Sequence, residues 1–244
     1  MPATKKRPAK QPLAHSKTPA LPRKTSAQIA RAKKLFSALK KLHPEARCEL
    51  DYRSPHELLI ATILSAQTTD VAVNKATPAL FKAFPTPLAF AKASSEQIEP
   101  YVKTLGFFRM KAKSVHEAMK AVVERFGGKV PQTMDELLTL RGVARKTANV
   151  VLSNAFGINQ GVVVDTHVTR LVQRLGLSKE TDPKKIELDL MSLFPQKDWG
   201  LLSHLLIFHG RRYCKARNDL CHQNPACKEF CSNARTTSKT SSAK

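Results

Sequence analysis

The chain has 244 residues, of which 42% are apolar, and its formal net charge is +22 at pH 7. The apolar content suffices for one large hydrophobic core or two small ones, and the positive charge indicates a polyanionic partner such as nucleic acid. No apolar run is long enough to span a membrane, and the basic N-terminus lacks the apolar stretch of a secretion signal. We therefore expect an intracellular protein without a membrane partner.

The positive charge is concentrated at both ends of the sequence. Residues 1–44 contain twelve Lys or Arg residues and no acidic residue, and residues 232–244 contain three more. Residues 1–25 also contain five prolines, a composition typical of disorder. We expect disordered basic tails over residues 1–25 and 232–244, which either add non-specific affinity for nucleic acid or serve only as solubilising extensions.

The segments between the tails carry the apolar period of helices and show no convincing alternation of strands, so an all-α fold is expected. Ser54, Pro55 and Glu57 combine an N-cap residue, a proline at the first helical position and a capping-box glutamate. They begin an almost entirely apolar helix, which must be buried and which we expect to end at Gln67. Other helices are predicted over residues 26–42, 70–84, 95–105 and 109–126.

A short helix, a tight turn at Gly142 and a second helix from Arg145 to Phe156 are predicted next. The second helix begins with the cations of Arg145 and Lys146, which the partial positive charge of a helix N-terminus disfavours. The backbone N–H groups of such a turn suit a phosphate oxygen. The local pattern therefore fits a phosphate-binding turn and an ordinary basic surface turn equally well.

The C-terminal part of the sequence predicts three more helices. Asp165 stands where the N-cap of the first is expected, and the other two span residues 182–194 and the apolar segment after Asp198. His204 and His209 in the last helix are predicted to be packed histidines rather than metal ligands.

Four of the five cysteines lie within eighteen residues, a spacing that favours a metal site over a disulfide framework. A reducing compartment follows. Four thiolates in so short a loop can surround an iron–sulfur cluster or a zinc ion, and both remain open at this point. Cys48, far away in sequence, is predicted to be a free structural thiol. The clustered cysteines are Cys214, Cys221, Cys227 and Cys231.

Three motifs together resemble the endonuclease III family of DNA glycosylase/AP lyases. They are L-S-A-Q-x-T-D from residue 64, L-x-G-V-x-R-K-T-A-N-V-V from residue 140 and V-D-T-H from residue 164. The resemblance covers roughly residues 58–231. It implies a six-helix domain with a helix-hairpin-helix motif over residues 48–159, an iron–sulfur domain formed by residues 26–47 and 160–231, and a DNA-binding cleft between the two.

The resemblance also implies roles for individual residues. Lys146 would be the nucleophile and Asp165 its partner, while Gln67 and Phe107 would enter the duplex beside the extruded base. The hairpin residues that would contact the DNA backbone are Arg141, Gly142, Ala144 and Arg145. The four clustered cysteines would hold a 4Fe-4S cluster.

The implied activity is removal of oxidised or ring-saturated pyrimidines from duplex DNA, followed by strand cleavage at the abasic site. A primary amine attacks the sugar and leaves an iminium, from which β-elimination follows. We expect a monomer in the cytoplasm of a bacterium, associated with the nucleoid. The alternatives are a monofunctional glycosylase of the same superfamily, which Lys146 disfavours, and a non-catalytic DNA-binding module, which Lys146 and Asp165 together disfavour. A structural zinc protein would explain the cysteines but not the hairpin.

The sequence departs from the family pattern at four places. Phe107 replaces an aliphatic residue, Arg141 a proline, and Ala144 the second glycine of the hairpin. The cysteine spacing is C-x6-C-x5-C-x3-C instead of C-x6-C-x2-C-x5-C, so Asn224 stands where the third cysteine is expected. These changes bear on the shape of the inserted wedge, on phosphate contact and on the ligands of the cluster.

Overall fold

The computed structural model of the protein describes residues 20–217 and 220–232. All regular structure within these ranges is helical, which confirms the all-α prediction. None of the described helices is both long and apolar enough to cross a membrane. The expected tails fall largely on residues 1–19 and 233–244, which lie outside the described residues.

Twelve α-helices occur in the described part of the chain. They are Ser26–Leu42 (α1), Pro55–Leu64 (α2), Asp70–Ala83 (α3), Pro87–Lys92 (α4), Ser95–Val102 (α5), Phe108–Phe126 (α6), Met134–Leu138 (α7), Arg145–Phe156 (α8), Thr166–Arg174 (α9), Pro183–Leu193 (α10), Trp199–Arg212 (α11) and Pro225–Phe230 (α12). Two short 3-10 turns, Gln196–Asp198 and Cys221–Gln223, accompany them.

The buried apolar side chains form two separate clusters. The first lies among α2 to α8 and the loops between them. Its centre is α2, in which every residue from Leu58 to Leu64 is buried, because a helix that is apolar on all sides must be surrounded. The second cluster lies among α1 and α9 to α12. The chain therefore passes from the second group of helices to the first after α1, and returns after α8.

The structure differs from the sequence-based prediction at the ends of α2 and α5 and in one additional helix, α4. Helix α5 ends at Val102 rather than at residue 105. The buried helix ends at Leu64 rather than at Gln67, because residues 65–67 form a turn in which Gln67 adopts a left-handed backbone with φ 53°. Helix α4 was not predicted at all. Its sequence does carry a start signal, since Thr86 precedes Pro87 and accepts a hydrogen bond from the backbone N–H of Ala89 at 3.2 Å.

The folded part of the chain begins before residue 26. Thr25 and Gln28 form a capping box at the start of α1, with hydrogen bonds of 2.8 and 3.2 Å. The ammonium group of Lys24 forms a salt bridge with the buried carboxylate of Asp189. The expected tail over residues 1–25 therefore includes two residues that contact the fold.

A buried carboxylate joins the two groups of helices. Glu187 of α10 accepts hydrogen bonds from Arg145 Nε at 2.7 Å and from Asn149 Nδ2 at 2.9 Å, both on α8. A buried charge is tolerated only with such partners. Gly161 lies against this group, since a Cβ atom added there would be 1.9 Å from Glu187 Oε1 and 2.7 Å from Asn149 Nδ2.

We predict that Gly161→Ala destabilises the fold by about 1–3 kcal/mol, because the new methyl group would displace the carboxylate of Glu187 from its partners. Gly106→Ala is the matched control, since nothing lies within 4 Å of a Cβ atom at that position. The free energy of unfolding, measured by urea titration, should fall for the first variant and change little for the second. Equal values for the two variants would contradict the close approach at Gly161.

Candidate active site and nucleic-acid interface

A cavity between the two groups of helices brings together residues that are distant in sequence. Lys146, the second residue of α8, and Asp165, which precedes α9, both line it. The other polar residues along its walls are Arg47, Cys48, Glu49, Thr62, Ser65, Asp70, Ser203, His204 and Arg211. A larger cavity of about 800 Å³ shares Glu49, Asp70 and Arg211 with it and extends to Gln67 and His167.

The start of α8 is suited to an anion. Ala144 is the N-cap residue, and its methyl group cannot accept a hydrogen bond from the backbone N–H groups of the first helical turn. Lys146 is exposed in this turn. A phosphate oxygen is the natural partner for such N–H groups at a helix N-terminus.

Asp165 is the N-cap of α9, as predicted. Its Oδ1 accepts a hydrogen bond from the backbone N–H of Val168 at 2.8 Å. This bond fixes the carboxylate at one wall of the cavity. Because the donor is a backbone N–H group, the carboxylate of Asp165 is held by a rigid part of the helix.

An ion-pair network crosses the cavity from one group of helices to the other. Arg211 of α11 binds Glu49 and also Asp70 of α3, the latter at 2.7 Å, while Arg212 binds Glu49 at 2.9 Å. Burial alone would raise the pKa of Glu49, but hydrogen bonds from the two arginines outweigh it and lower that pKa. Burial has the opposite effect on a histidine, because its charged form is the cation, and it lowers the pKa of His167 although Asp165 acts to raise it. Glu49 and Asp70 are therefore held as ion-paired carboxylates.

Gln67 and Phe107 share an unusual backbone. They are the only non-glycine residues of residues 20–217 and 220–232 with a left-handed conformation, at φ 53° and φ 57°. Such a conformation costs roughly 1–2 kcal/mol for an L-residue, and it is tolerated where the surrounding structure enforces it. Both side chains are exposed, Phe107 at 63%. Phe108, in contrast, packs against the first cluster.

The hairpin turn requires glycine at one position only. Gly142 has φ +78°, and a Cβ atom there would lie 3.1 Å from the Cβ of Ser114 and 3.3 Å from Ile63 Cγ2. Ala144 has φ −94°, which any residue adopts. The replacement of the second hairpin glycine by alanine therefore introduces no backbone strain.

Two cations that were expected to contact DNA have acidic partners within the protein. Arg141 Nη1 lies 3.1 Å from Glu117 Oε2, and Arg145 Nε lies 2.7 Å from Glu187 Oε2. The first pair is exposed and therefore weak. The second involves a buried carboxylate, so Arg145 also holds the two groups of helices together.

The four clustered cysteines are fully buried and lie close together. The sulfur atoms of Cys214, Cys221 and Cys231 all lie within 4.8 Å of one another. The Cys227 sulfur lies 3.0 Å from His209 Nε2. Asn224, which stands where the third cysteine is expected, is instead the N-cap of α12, and its side chain accepts a hydrogen bond from the Cys227 N–H at 3.1 Å.

Hydrogen bonds among the clustered cysteines shift the pKa values of two of the thiols in opposite directions. Hydrogen bonds from Cys227 and Cys231 lower the pKa of Cys214, and a hydrogen bond from Arg174 Nη1 at 3.3 Å adds to this effect. Sharing a proton with Cys214 raises the pKa of Cys227. Four buried sulfur atoms in one place are a donor set that suits a metal centre, whose binding replaces the thiol protons.

His204 and His209 are packed, as predicted. His204 Nε2 lies 2.7 Å from Asn154 Oδ1, and His209 Nδ1 lies 3.1 Å from His43 Nε2. Burial is the main cause that lowers the pKa of His209 to about 4. The contact of His209 with Cys227 was not anticipated, because the two residues are 18 positions apart and come from different helices.

Comparison with known proteins identifies the family. Residues 60–196 match the HhH-GPD superfamily of base excision DNA repair proteins. Endonuclease III of Synechocystis sp. is 57% identical over 199 residues, which cover 82% of this chain and 91% of that protein. The chain belongs to the endonuclease III family. Endonuclease III of Bacillus subtilis is 42% identical over 185 residues, covering 75% of this chain and 84% of that protein.

A solved endonuclease III shares the fold. The structure of a trapped endonuclease III–DNA covalent intermediate matches with a TM-score of 0.81 and 37% identity, over 86% of this chain and 98% of that one. Membership of the endonuclease III family makes the protein a base excision repair enzyme with DNA glycosylase and AP lyase activities.

Two polar residues of the site, Asp70 and Arg174, were not singled out by sequence analysis. Asp70 and Arg211 form the ion pair across the cavity, and Arg174 donates to the Cys214 sulfur. Asp70 and Arg211 are 141 residues apart, so no local pattern could have paired them. Asp70 does end the L-S-A-Q-x-T-D motif, which was the only available signal.

Proposed function

We propose that this member of the endonuclease III family removes oxidised pyrimidines from duplex DNA and cleaves the strand at the resulting abasic site, with Lys146 as the nucleophile. One observation carries the proposal. Lys146 and Asp165, which come from different groups of helices, line the same cavity. An amine and a carboxylate on the walls of one cavity are the groups that this reaction needs.

The amine performs both halves of the reaction. The neutral Nζ of Lys146 attacks the sugar C1′, the bond from C1′ to the base breaks, and the base leaves with the electron pair and takes up a proton. The attached nitrogen then loses one proton, and the C1′–O4′ bond of the sugar breaks as O4′ takes up a proton, which gives an iminium that keeps one N–H. The iminium acidifies the C2′ proton, so its removal breaks the bond from C3′ to the phosphate oxygen.

Asp165 assists this reaction without attacking. Its carboxylate is held by the N-cap hydrogen bond at 2.8 Å, so it requires no reorganisation while the reaction proceeds. We propose that it stabilises the positive charge that develops on the sugar as the base leaves. A fixed negative charge in a cavity is effective in this role because water screens it less than at the surface.

Binding of the duplex relies on the turn before α8 and on the inserted side chains. The N–H groups at the start of α8 bind a backbone phosphate, and Gly142 allows the turn to approach it closely. Extrusion of the damaged base costs a few kcal/mol. We propose that Gln67 and Phe107 offset this cost by filling the vacated space, with an aromatic ring as the wedge.

The buried cysteines fit an iron–sulfur cluster. The four thiols lie in one buried place, and the nitrogen atoms Arg174 Nη1 and His209 Nε2 lie within 3.3 Å of two of the sulfurs. We propose that Cys214, Cys221, Cys227 and Cys231 hold a 4Fe-4S cluster. When bound, the cluster would anchor the loop between α11 and α12, with its basic residues, at the DNA backbone. Zinc is the alternative, because four thiolates also satisfy its tetrahedral site.

Lys146→Gln should abolish the covalent complex that borohydride traps on duplex DNA containing one thymine glycol, because the amide cannot form an iminium. Binding of the same duplex should persist, since the backbone contacts at the start of α8 remain. Trapping on sodium dodecyl sulfate gels measures the first effect and fluorescence anisotropy the second. Trapping by the variant at the wild-type rate would exclude Lys146 as the nucleophile.

Asp165→Asn should slow single-turnover excision by at least about tenfold, because the charge is lost. The amide oxygen still caps α9, so the free energy of unfolding should change by well under about 1 kcal/mol. Rapid-quench kinetics and urea titration measure the two quantities. Unchanged excision would leave Asp165 only its capping role.

Protein purified without oxygen should be yellow-brown, with a broad absorption band near about 400 nm and about four irons per chain. Cys227→Ala should lose the colour, whereas Cys48→Ala should keep it, because Cys48 packs against the first cluster of apolar residues. Metal analysis by mass spectrometry is the decisive measurement. Colourless protein with one zinc ion per chain would replace the iron–sulfur assignment by the alternative.

A further inference from the structure

One face of α6 contacts all three turns that we assign to DNA binding. Lys111, Ser114 and Glu117 are three residues apart and therefore lie on the same side of the helix. Lys111 contacts the turn after α2, Ser114 packs beneath the hairpin glycine, and Glu117 binds the hairpin arginine. The turn that carries Phe107 leads directly into this helix.

Lys111 is the exceptional residue on this face. It is only 5% exposed, although a lysine normally keeps its ammonium group in water. Its Nζ donates a hydrogen bond to Thr68 Oγ1. No acidic side chain of residues 20–217 and 220–232 forms a salt bridge with it, and burial lowers its pKa. Burying an ammonium group without a charged partner reduces the stability of the fold. The hydrogen bond of Lys111 therefore calls for an explanation other than stability.

The contacts of Lys111 join the two left-handed turns. Thr68, which accepts the hydrogen bond from its side chain, directly follows Gln67. The backbone N–H of Lys111 donates to the carbonyl oxygen of Phe107 at 3.0 Å. One residue thus contacts both of the turns whose backbone conformation is strained and whose exposed side chains are the proposed wedges.

We propose that Lys111 is a positioning residue that couples these two turns, so that Gln67 and Phe107 enter the duplex as a pair. The proposal rests on the proposed function and extends it to the step of base extrusion. Lys111 acts through Thr68 and does not touch the DNA, because it is buried. Its hydrogen bond holds the Gln67 turn at a set distance from the Phe107 turn, and a strained turn persists only where such contacts enforce it.

The experiment compares Lys111→Met, which keeps an unbranched side chain but removes the donor, with Thr68→Val, which removes the acceptor and keeps the shape. Each should slow single-turnover excision of thymine glycol by about tenfold, a loss of about 1.4 kcal/mol in transition-state stabilisation. The double variant should be no slower than the slower single variant, because both changes break the same contact. Affinity for undamaged duplex should stay unchanged, since phosphate binding does not depend on this contact.

Two further variants serve as controls. Thr68→Ser keeps the hydroxyl group and should excise at the wild-type rate. Lys120→Met removes an exposed lysine from the same helix, 54% exposed in its side chain, and should also leave excision unchanged. Fluorescence of 2-aminopurine placed opposite the lesion reports insertion directly. Its rise on binding should be reduced in Lys111→Met and in Thr68→Val, but not in the controls.

Three results would overturn the proposal. Losses that add in the double variant would show that Lys111 and Thr68 act independently. Losses that disappear at a temperature where every variant is fully folded would make Lys111 a stability residue only. Wild-type excision and 2-aminopurine signals in Lys111→Met would remove its role altogether. Failure of the proposed function is a different outcome, in which wild-type protein itself neither excises thymine glycol nor cleaves abasic DNA.

Discussion

The placement of Lys146 depends on the buried carboxylate of Glu187. Arg145 and Asn149 of α8 bind this carboxylate, and Lys146 lies between them in the sequence. Glu187 itself lies on α10, which packs against α9. The contact that satisfies a buried charge therefore also sets where the start of α8 lies relative to Asp165, the N-cap of α9. The absence of a Cβ atom at Gly161 makes room for it.

Helix α6 has the corresponding role for the DNA-binding turns. Its buried face contacts the turn after α2 and the hairpin turn, and its first residue follows Phe107. Gln67 and Phe107, which have a left-handed backbone and exposed side chains, are thus supported by a long helix that is itself packed in the first cluster. Rigid support of this kind lets the turns present side chains to a duplex without ordering them at the moment of binding.

Helix α9 connects the cavity to the cysteines. Asp165 caps its N-terminus, whereas Arg170 and Arg174 near its other end bind the carbonyl oxygen and the sulfur of Cys214. The altered cysteine spacing is accommodated by the short helix α12. Asn224 begins this helix, and Cys227 and Cys231 are one helical turn apart. Both thiols are buried with those of Cys214 and Cys221.

The sequence alone determined the features that depend on neighbouring residues: the N-caps at Ser54 and Asp165, the glycine turn of the hairpin and the cluster of cysteines. Resemblance to a family, rather than any local pattern, supplied the pairing of Lys146 with Asp165. The tertiary structure decided what long-range contacts control. It ended the buried helix three residues early, and it gave Arg141 and Arg145 acidic partners 24 and 42 residues away. Local propensity cannot predict these outcomes, because the energy of a buried charge or a strained turn depends on groups that only folding brings together.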